Sequence, residues 1–204
     1  KKMALKFNER TIRDFRSRMT GGGARSNLFE VTIEYPDLLG LPTDSDGPKA
    51  TGEFLIKAAE IPASNLGNIP VPFRGRVLPV AGDRTFDPWT VTVINDNNFK
   101  IRDAMEKWSN FINDLQTSQG SVNPEEYQTS AFVKQLSREG GINPGAIDIL
   151  REYRFEGIYP NVVSSIPLDY GATDQIEEFQ VTFNYLFYSV PSGSTVTSAG
   201  GPLI

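Results

Sequence analysis

Alternation of apolar and polar residues is the strongest pattern in this chain. It runs from Asn27 to Tyr35 and again from Glu178 to Tyr188, where the apolar positions are mostly aromatic. Because successive residues of a strand point to opposite faces, both segments predict half-buried strands. Shorter strands are predicted at Gly52–Glu60, Arg74–Val80, Trp89–Asn95, Ala131–Leu136, Glu152–Ile158 and Val163–Leu168. We expect 74–80 and 89–95 to pair with each other across the connection 81–88.

One segment has the periodicity of a helix. Between Asn98 and Leu115, apolar residues recur at spacings of three and four, at Ile101, Met105, Trp108, Ile112 and Leu115. This stripe predicts an amphipathic helix that packs on a sheet, with Asn95, Asp96 and Asn97 as candidate caps. The sequence therefore predicts a mainly β fold with one packed α-helix.

Glycine, proline and small polar residues divide the rest of the chain. A glycine-rich hinge at 20–24 separates an N-terminal arm from a domain that begins near Ser26, and 36–50 predicts a long loop. Prolines in 62–72 predict irregular backbone, and 140–145 predicts a break. We divide the chain into an arm (1–25), a central domain (26–188) and a Gly/Ser/Pro-rich tail (189–204), which we expect to be disordered in a free monomer.

The side-chain inventory excludes most catalytic chemistry. The 204 residues include no cysteine and no histidine, which excludes thiolate nucleophiles, disulfides, imidazole bases and most zinc or iron sites. The adjacent Glu177 and Glu178 would point to opposite faces of a strand, and we interpret both as solvated or interfacial charges. We expect no enzyme activity, no cofactor and no metal. Since no apolar run reaches transmembrane length, we also expect no membrane insertion. The first residues, Lys1–Lys6, contain no long apolar stretch followed by small residues, so we expect no secretory signal.

Charge is divided unevenly along the chain. Residues 1–25 carry eight basic and two acidic residues, a net charge of +6, whereas the remainder carries 12 basic and 23 acidic residues, a net charge of −11. A basic arm on an acidic body favours docking of the arm on another copy. A solvated terminus and a nucleic-acid contact are the alternatives. The candidate contact residues in the arm are Arg10, Arg13, Arg16 and Arg18.

The triplet Gly82-Asp83-Arg84 has two interpretations. Glycine and arginine together can hold an anion, as in a phosphate loop. The spacing matches no phosphate-binding motif, however, so a structural turn with an Asp83–Arg84 ion pair is favoured.

A longer stretch that includes this triplet carries a resemblance. From Val80 to Asp96 the sequence VAGDRTFDPWTVTVIND strongly resembles the tail tube proteins of T4-like contractile-tailed phages. Weaker matches are NLF from Asn27, IPVPFRGR from Ile69 and IEEFQVTF from Ile176, so the resemblance covers about 27–188. The chain departs from it by a longer basic arm, a longer loop at 36–50, an insertion around 140–149 and an added C-terminal tail.

The resemblance implies both a fold and a way of working. In that family the sheets of each subunit join those of its neighbours in a hexameric ring, which encloses a continuous β-barrel lumen, and the helix covers the outer side. Such rings stack inside a contractile sheath. Phe73, Arg74, Asp83 and Arg84 would then lie at subunit contacts, and Trp89 and the row Phe179–Phe187 would support sheets that continue between subunits. Asp44 and Asp46, in the long loop, would reach an adjacent ring.

The implied function is a structural subunit of a virion tail, assembled in the host cytoplasm, through which DNA is ejected. Its partners would be further copies of itself, the tail sheath protein, baseplate and tail terminator proteins, and phage DNA in the lumen. An acidic lumen would repel phosphate and let DNA slide. Alternatives are the tube of a contractile secretion or injection system, a baseplate tube initiator or a DNA-binding module.

Overall fold

The computed structural model describes residues 12–19, 23–43, 47–138 and 149–191. Its helices are α1 (Ile12–Arg18), α2 (Pro48–Leu55), α3 (Lys100–Ile112) and α4 (Pro124–Tyr127), with a 3-10 turn at Asp37–Leu39. Its strands are β1 (Phe29–Ile33), β2 (Ile56–Ala59), β3 (Ser64–Phe73), β4 (Arg76–Phe86), β5 (Trp89–Ile94), β6 (Thr129–Leu136), β7 (Ile149–Val163), β8 (Glu178–Asn184) and β9 (Phe187–Ser189).

The strands form a large antiparallel sheet and a separate two-stranded pair. The large sheet has the order β1-β6-β7-β8-β5-β2, with β9 also beside β7, whereas β3 and β4 pair only with each other among the described residues. The long strand β7 joins the two halves of the large sheet. Its first half pairs with β6 and β9, and its last residues pair with β8.

A glycine makes the junction in β7 possible. Thr129 lies opposite Ile158 and Ser130 opposite Glu156, so Gly157 is the extra residue of a β-bulge. Its φ is +65°, a left-handed conformation that glycine adopts without strain, and a Cβ there would lie 2.7 Å from Leu186 Cδ1. Gly157 therefore lets one strand serve both halves of the sheet.

The core lies between the two halves of the sheet and under α3. Trp89 is fully buried and stacks on Phe155 with ring centroids 4.6 Å apart. From α3, Ile101, Met105 and Trp108 are buried, and the Trp108 indole donates a hydrogen bond to the Tyr127 carbonyl (2.8 Å). The predicted helix and its apolar stripe are therefore confirmed, except that α3 ends at Ile112 and leaves Leu115 88% exposed.

The three candidate caps of α3 are wrong as N-cap residues, because Phe99 occupies that position with a φ of +55° and caps with no side-chain hydrogen bond. The Asp96 carboxylate accepts a hydrogen bond from the backbone N–H of Lys100 (3.0 Å), which is the first residue of α3. This bond pairs one of the N–H groups that the first turn of a helix leaves free.

The predicted loop at 36–50 and strand at Gly52–Glu60 are both partly wrong. The loop contains the 3-10 turn and the start of α2, and the strand is confined to Ile56–Ala59. Pro48 suits the first turn of a helix, because that position needs no N–H donor. In a continuous strand Phe54 and Ile56 would lie on the same face, but Phe54 is 86% exposed while Ile56 is buried. The helix docks beside β1, where the Thr32 hydroxyl donates to Glu53 (3.1 Å).

Further corrections concern β3 to β5 and the end of the chain. The region 62–72, predicted as irregular, contains most of β3, and β4 pairs with β3 and not with β5. Only Val163 of the predicted strand Val163–Leu168 belongs to a strand, and the final strand is interrupted at 185–186. The predicted strands at 27–35, 131–136 and 152–158 are confirmed. The hinge at 20–24 lies partly, and the break at 140–145 wholly, outside the described residues.

Candidate assembly surface

Strands β3 and β4 form a two-stranded hairpin, which we call the ribbon. It continues from the paired strands β2 and β5 at the end of the large sheet. β2 is the last strand of the sheet and leads into β3 through residues 60–63, while β4 leads into β5 through 87–88. The two strands have 10 and 11 residues, enough to extend about 33 Å at the usual rise. Within the ribbon only Ser64, Gly82 and Phe86 are half-buried, and all other residues are exposed.

One face of the ribbon carries mainly large aliphatic and aromatic side chains, and the other carries mainly proline rings. Cross-strand partners share a face, so Ile69 with Val80, Val71 with Leu78 and Phe73 with Arg76 form one face. The opposite face pairs Pro70 with Pro79 and Pro72 with Val77. We call the first the apolar face; its five hydrophobic side chains are 42–66% exposed, and they are Ile69, Val71, Phe73, Leu78 and Val80.

The prolines fit the ribbon because both of its strands are edges. Alternate residues of an edge strand direct their N–H groups away from the partner strand. Pro70 and Pro72 are two residues apart, so both can occupy such positions without losing a ladder hydrogen bond. Their ring side chains also restrict how other strands can pair with that edge.

The tip of the ribbon is a strained two-residue turn. Arg74 and Gly75 have φ values of +46° and +80°, as the two central residues of a type I′ hairpin turn require. Glycine adopts such an angle freely, but a residue with a side chain pays about 1–2 kcal/mol. The Arg74 guanidinium lies 5.3 Å from the centroid of the Phe73 ring, a cation–π contact that holds it beside the apolar face.

Close backbone approach and an amide contact fix the base of the ribbon. A Cβ at Gly67 would lie 3.1 Å from the Asp83 carbonyl oxygen, and one at Gly82 would lie 3.2 Å from the Gly67 carbonyl carbon. Glycine therefore fits where β3 and β4 cross a bulge. The Asn65 amide donates to both oxygens of the Asp87 carboxylate (3.2 and 3.1 Å).

Aromatic side chains join the ribbon to the rest of the subunit, which we call the body. The Phe86 ring lies 5.8 Å from Tyr185 and 5.6 Å from Tyr188 between centroids. Burial, followed by the nearby Tyr188 and Asp87, raises the pKa of Tyr185 to about 12. Its hydroxyl has no hydrogen-bond partner in the described part of the chain. Contacts between aromatic rings therefore form the joint between the ribbon and the body.

The structure brings some predicted contact residues to the ribbon. Phe73 and Arg74 lie at its tip, while Asp83 and Arg84 lie in β4 and are exposed. The predicted turn at 82–84 is therefore wrong, because the triplet belongs to a continuous strand. Adjacent strand residues point to opposite faces, which separates the Asp83 and Arg84 side chains.

Other predicted residues lie elsewhere. Arg16 and Arg18 are exposed on α1, and Arg13 belongs to the same helix. Arg10, Asp44 and Asp46 lie outside the described residues. Four residues of the predicted set are buried inside the subunit, so they can support a subunit contact only by packing beneath the residues that make it; they are Trp89, Phe179, Val181 and Phe183.

Sequence reasoning did not identify the rest of the apolar face. Ile69, Val71 and Phe73 alternate with Pro70 and Pro72, which is the period of a strand. The prolines favoured an irregular interpretation because they remove backbone donors. Reading the alternation together with the Arg-Gly turn could have identified the hairpin.

Neither a metal site nor a membrane helix is found in the described residues. No group of three or more acidic side chains there could hold a metal ion. No helix there is long and apolar enough to cross a membrane. Glu177 accepts a hydrogen bond from the Asn95 amide (3.0 Å), and Glu178 pairs with Lys57 (2.6 Å), so these carboxylates have separate partners.

Comparison with known proteins gives the family. A model of the phage tail tube protein family matches residues 24–191. The chain is 35% identical to the tail tube protein gp19 of Enterobacteria phage T4 over 163 residues, which cover 80% of this chain and 89% of that protein.

The fold agrees with solved structures. A chain of the anti-feeding prophage baseplate superposes with a TM-score of 0.59 and 11% identity, covering 85% of this chain and 98% of that one. A chain of the sheath/tube terminator of the extracellular contractile injection system PVC gives a TM-score of 0.55 and 12% identity, over 83% and 97%. The chain belongs to the phage tail tube protein family and is a structural subunit of a contractile phage tail.

Proposed function

We propose that six copies of this chain form a ring in which their sheets join into a closed barrel, and that such rings stack into a tube for DNA. The observation that carries this proposal is the apolar face of the ribbon. Its side chains are exposed in the single subunit, although nothing in their chemistry favours contact with water.

Burial of the apolar face would stabilise an assembly substantially. Complete burial of a Val, Leu, Ile or Phe side chain contributes roughly 1.5–3 kcal/mol. The five side chains are about half exposed, so covering them contributes on the order of 5 kcal/mol per ribbon before the entropic cost of association. A ring or tube repeats this contribution at every subunit.

The backbone of the ribbon supports the same proposal. An isolated two-stranded hairpin is marginally stable in water, and its outer edges present unpaired N–H and C=O groups. Pairing with a strand of another copy, at edge positions other than the prolines, would satisfy these groups and extend the sheet between subunits. The anti-feeding prophage baseplate, which shares this fold, was solved with 6-fold symmetry.

Charge supports the role as a conduit. Outside the arm, the chain carries a net charge of −11. Like charge along a lumen would keep DNA phosphates from adhering, whereas a basic lumen would bind them by releasing counterions. The basic arm would then lie away from the lumen, with Arg10, Arg13, Arg16 and Arg18 on acidic residues of a neighbouring subunit or of the sheath.

The remaining contacts follow from position in the tail. The sheath, the baseplate and the tail terminator are the proposed protein partners, and assembly would take place in the host cytoplasm. Residues 36–50 would reach an adjacent ring. The arm (1–25), tube domain (26–188) and tail (189–204) would be separate contact regions.

The test compares two neighbouring residues on opposite faces of the ribbon. Leu78 and Val77 are 61% and 62% exposed, but only Leu78 lies on the apolar face. Leu78→Ser should abolish rings or tubes in negative-stain micrographs and leave a monomer in sedimentation, while Val77→Ser should assemble nearly as the wild type does. Equal assembly of both variants, or a wild type that stays monomeric at every concentration even with a baseplate present, would overturn the proposal.

A further inference from the structure

The ribbon leaves the body at one end of a sheet, and an open groove lies at the other end. β5 and β8 pair from Trp89 opposite Phe183 to Ile94 opposite Glu178. The ribbon joins β5 next to Trp89. A groove of about 580 Å³ lies at the Glu178 end, within the segment Ile166–Glu178. A copy placed end to end would therefore bring a ribbon towards a groove.

The groove combines apolar side chains with acidic ones. Leu168 and Ile176 line it and are 82% and 71% exposed. Asp169 and Glu177 also line it, and among the ion pairs of the described residues neither has a basic partner. Glu178, by contrast, is paired with Lys57 (2.6 Å). The groove therefore favours a ligand that is apolar and positively charged.

The tip of the ribbon has this combination. Phe73 is 66% exposed, and the Arg74 guanidinium lies 5.3 Å from its ring centroid. Arg76 lies directly opposite Phe73, so its side chain emerges on the same face. The tip thus presents an aromatic ring with one guanidinium group beside it and a second arginine on the same face.

We infer that the tip of the ribbon docks in the Ile166–Glu178 groove of a second copy. Phe73 packs on Leu168 and Ile176, and the two guanidinium groups pair with Asp169 and Glu177. This inference rests on the proposed function, since it identifies the surface that receives the ribbon. The contact joins two different surfaces from opposite ends of the subunit, so it propagates from copy to copy and lengthens the assembly.

Docking also explains why the strained turn carries arginine. A type I′ turn accepts Asn-Gly with less strain than Arg-Gly. Arg74 therefore adds positive charge and a cation–π contact at a position where its backbone is unfavourable. Strain of this kind points to function when an interaction made elsewhere compensates for it.

A second acidic hollow is the competing site. It has a volume of about 540 Å³ and is lined by Glu34, Asp37, Glu125 and Glu126, with Leu38 exposed at its edge. Glu34 there already pairs with Lys49 (2.9 Å). The groove at Ile166–Glu178 is the better match because two exposed aliphatic side chains flank carboxylates that have no basic partner among the described residues.

Disulfide crosslinking tests the contact, because the natural chain contains no cysteine. Phe73→Cys and Leu168→Cys variants are purified separately, mixed, assembled under reducing conditions and then oxidised. The mixture should give crosslinked dimers on non-reducing gels, while each variant alone should give none. A matched mixture of Phe73→Cys with Leu38→Cys should also give none. Crosslinks to Leu38→Cys, or no crosslinks to Leu168→Cys in assembled samples, would overturn the inference.

A charge exchange provides a second readout. Arg76→Glu and Asp169→Arg should each weaken tube elongation about tenfold or more, as a change of roughly 1.4 kcal/mol per contact would. The combination in one chain should restore much of the loss, since the pair is rebuilt with reversed sign. Elongation that is unchanged in both single variants would contradict the inference while leaving the proposed function intact. Failure of the unmodified protein to assemble would contradict the proposed function itself.

Discussion

The body and the ribbon are built from the same kind of strand but differ in where their apolar side chains find partners. In the body, Trp89 and Val91 on β5 are completely buried against other parts of the same chain. On the ribbon, Val71 and Leu78 alternate just as regularly and remain exposed. A strand pattern thus predicts which side chains need covering, but not whether the cover comes from the same chain.

This difference separates two roles of hydrophobic burial. Contacts in the body set the free energy of unfolding of one subunit, whereas contacts of the apolar face contribute only when copies meet. Substitutions in the two regions should therefore affect different measurements.

Replacement of the central tryptophan should produce the largest loss of stability. Trp89→Ala removes the stack on Phe155 and leaves a cavity, so the free energy of unfolding should fall by about 3–5 kcal/mol. The indole N–H has no hydrogen-bond partner among the described residues, so Trp89→Phe should lose much less. Urea denaturation of the monomer measures both, with Val77→Ser as the ribbon control. If the ribbon control destabilises the subunit as much as Trp89→Ala, the two regions are not energetically separate.

Substitution of the bulge glycine should have an intermediate effect. Gly157→Ala places a side chain at φ +65° and against Leu186, and we expect a loss of roughly 1–2 kcal/mol. Adding Leu186→Ala should recover the steric part but not the backbone strain. Thermal denaturation of the single and double variants distinguishes these two parts. A Gly157→Ala protein as stable as the wild type would show that β7 does not require this bend.

Relief of strain at the ribbon tip should separate local stability from assembly. Arg74→Asn creates the Asn-Gly pair that type I′ turns prefer, which should favour the paired ribbon by up to about 1 kcal/mol. The same change removes the Arg74 charge and its contact with Phe73. Ribbon amide protection in the monomer should rise while tube formation weakens. A parallel change in both measurements would contradict the assignment of Arg74 to an intermolecular contact.

Alkaline pH should produce the smallest effect, at the joint between the two regions. Because burial raises the pKa of Tyr185 to about 12 from the ordinary 10.0, folding keeps this hydroxyl protonated. The contribution of this hydroxyl to the free energy of unfolding is therefore complete below pH 10 and is lost as the pH rises through about 12. Tyr185→Phe should make the stability of the monomer less dependent on pH in this range and change it little at neutral pH. An identical pH dependence in both proteins would place the titration elsewhere.

The sequence correctly predicted the helices and strands whose hydrophobic periodicity extends over many residues. The stripe of α3 and the alternation around Val31 and Val181 led to the correct helix and strands. The sequence did not predict α2, because Phe54 and Ile56 also fit the alternating pattern of a strand. The helix is recognised from its packing on β1, where Glu53 accepts a hydrogen bond from Thr32.

The ribbon was the harder case for a physical reason. Pro70 and Pro72 disfavour a central strand but are compatible with an edge, and the sequence alone does not say which applies. Phe73 and Arg74 were identified as contact residues through the resemblance, whereas Leu78 and Val80 required the cross-strand register.

Hydrogen–deuterium exchange of the ribbon in free and assembled protein tests most directly whether other copies cover it. Peptides spanning Ser64–Phe86 should exchange rapidly in the monomer, because in the described part of the chain each ribbon strand has one neighbouring strand. In assembled tubes the same peptides should become strongly protected, while peptides from β5 and β8 stay protected in both states. Unchanged rapid exchange of the ribbon in assembled tubes would contradict its role as the surface that joins subunits.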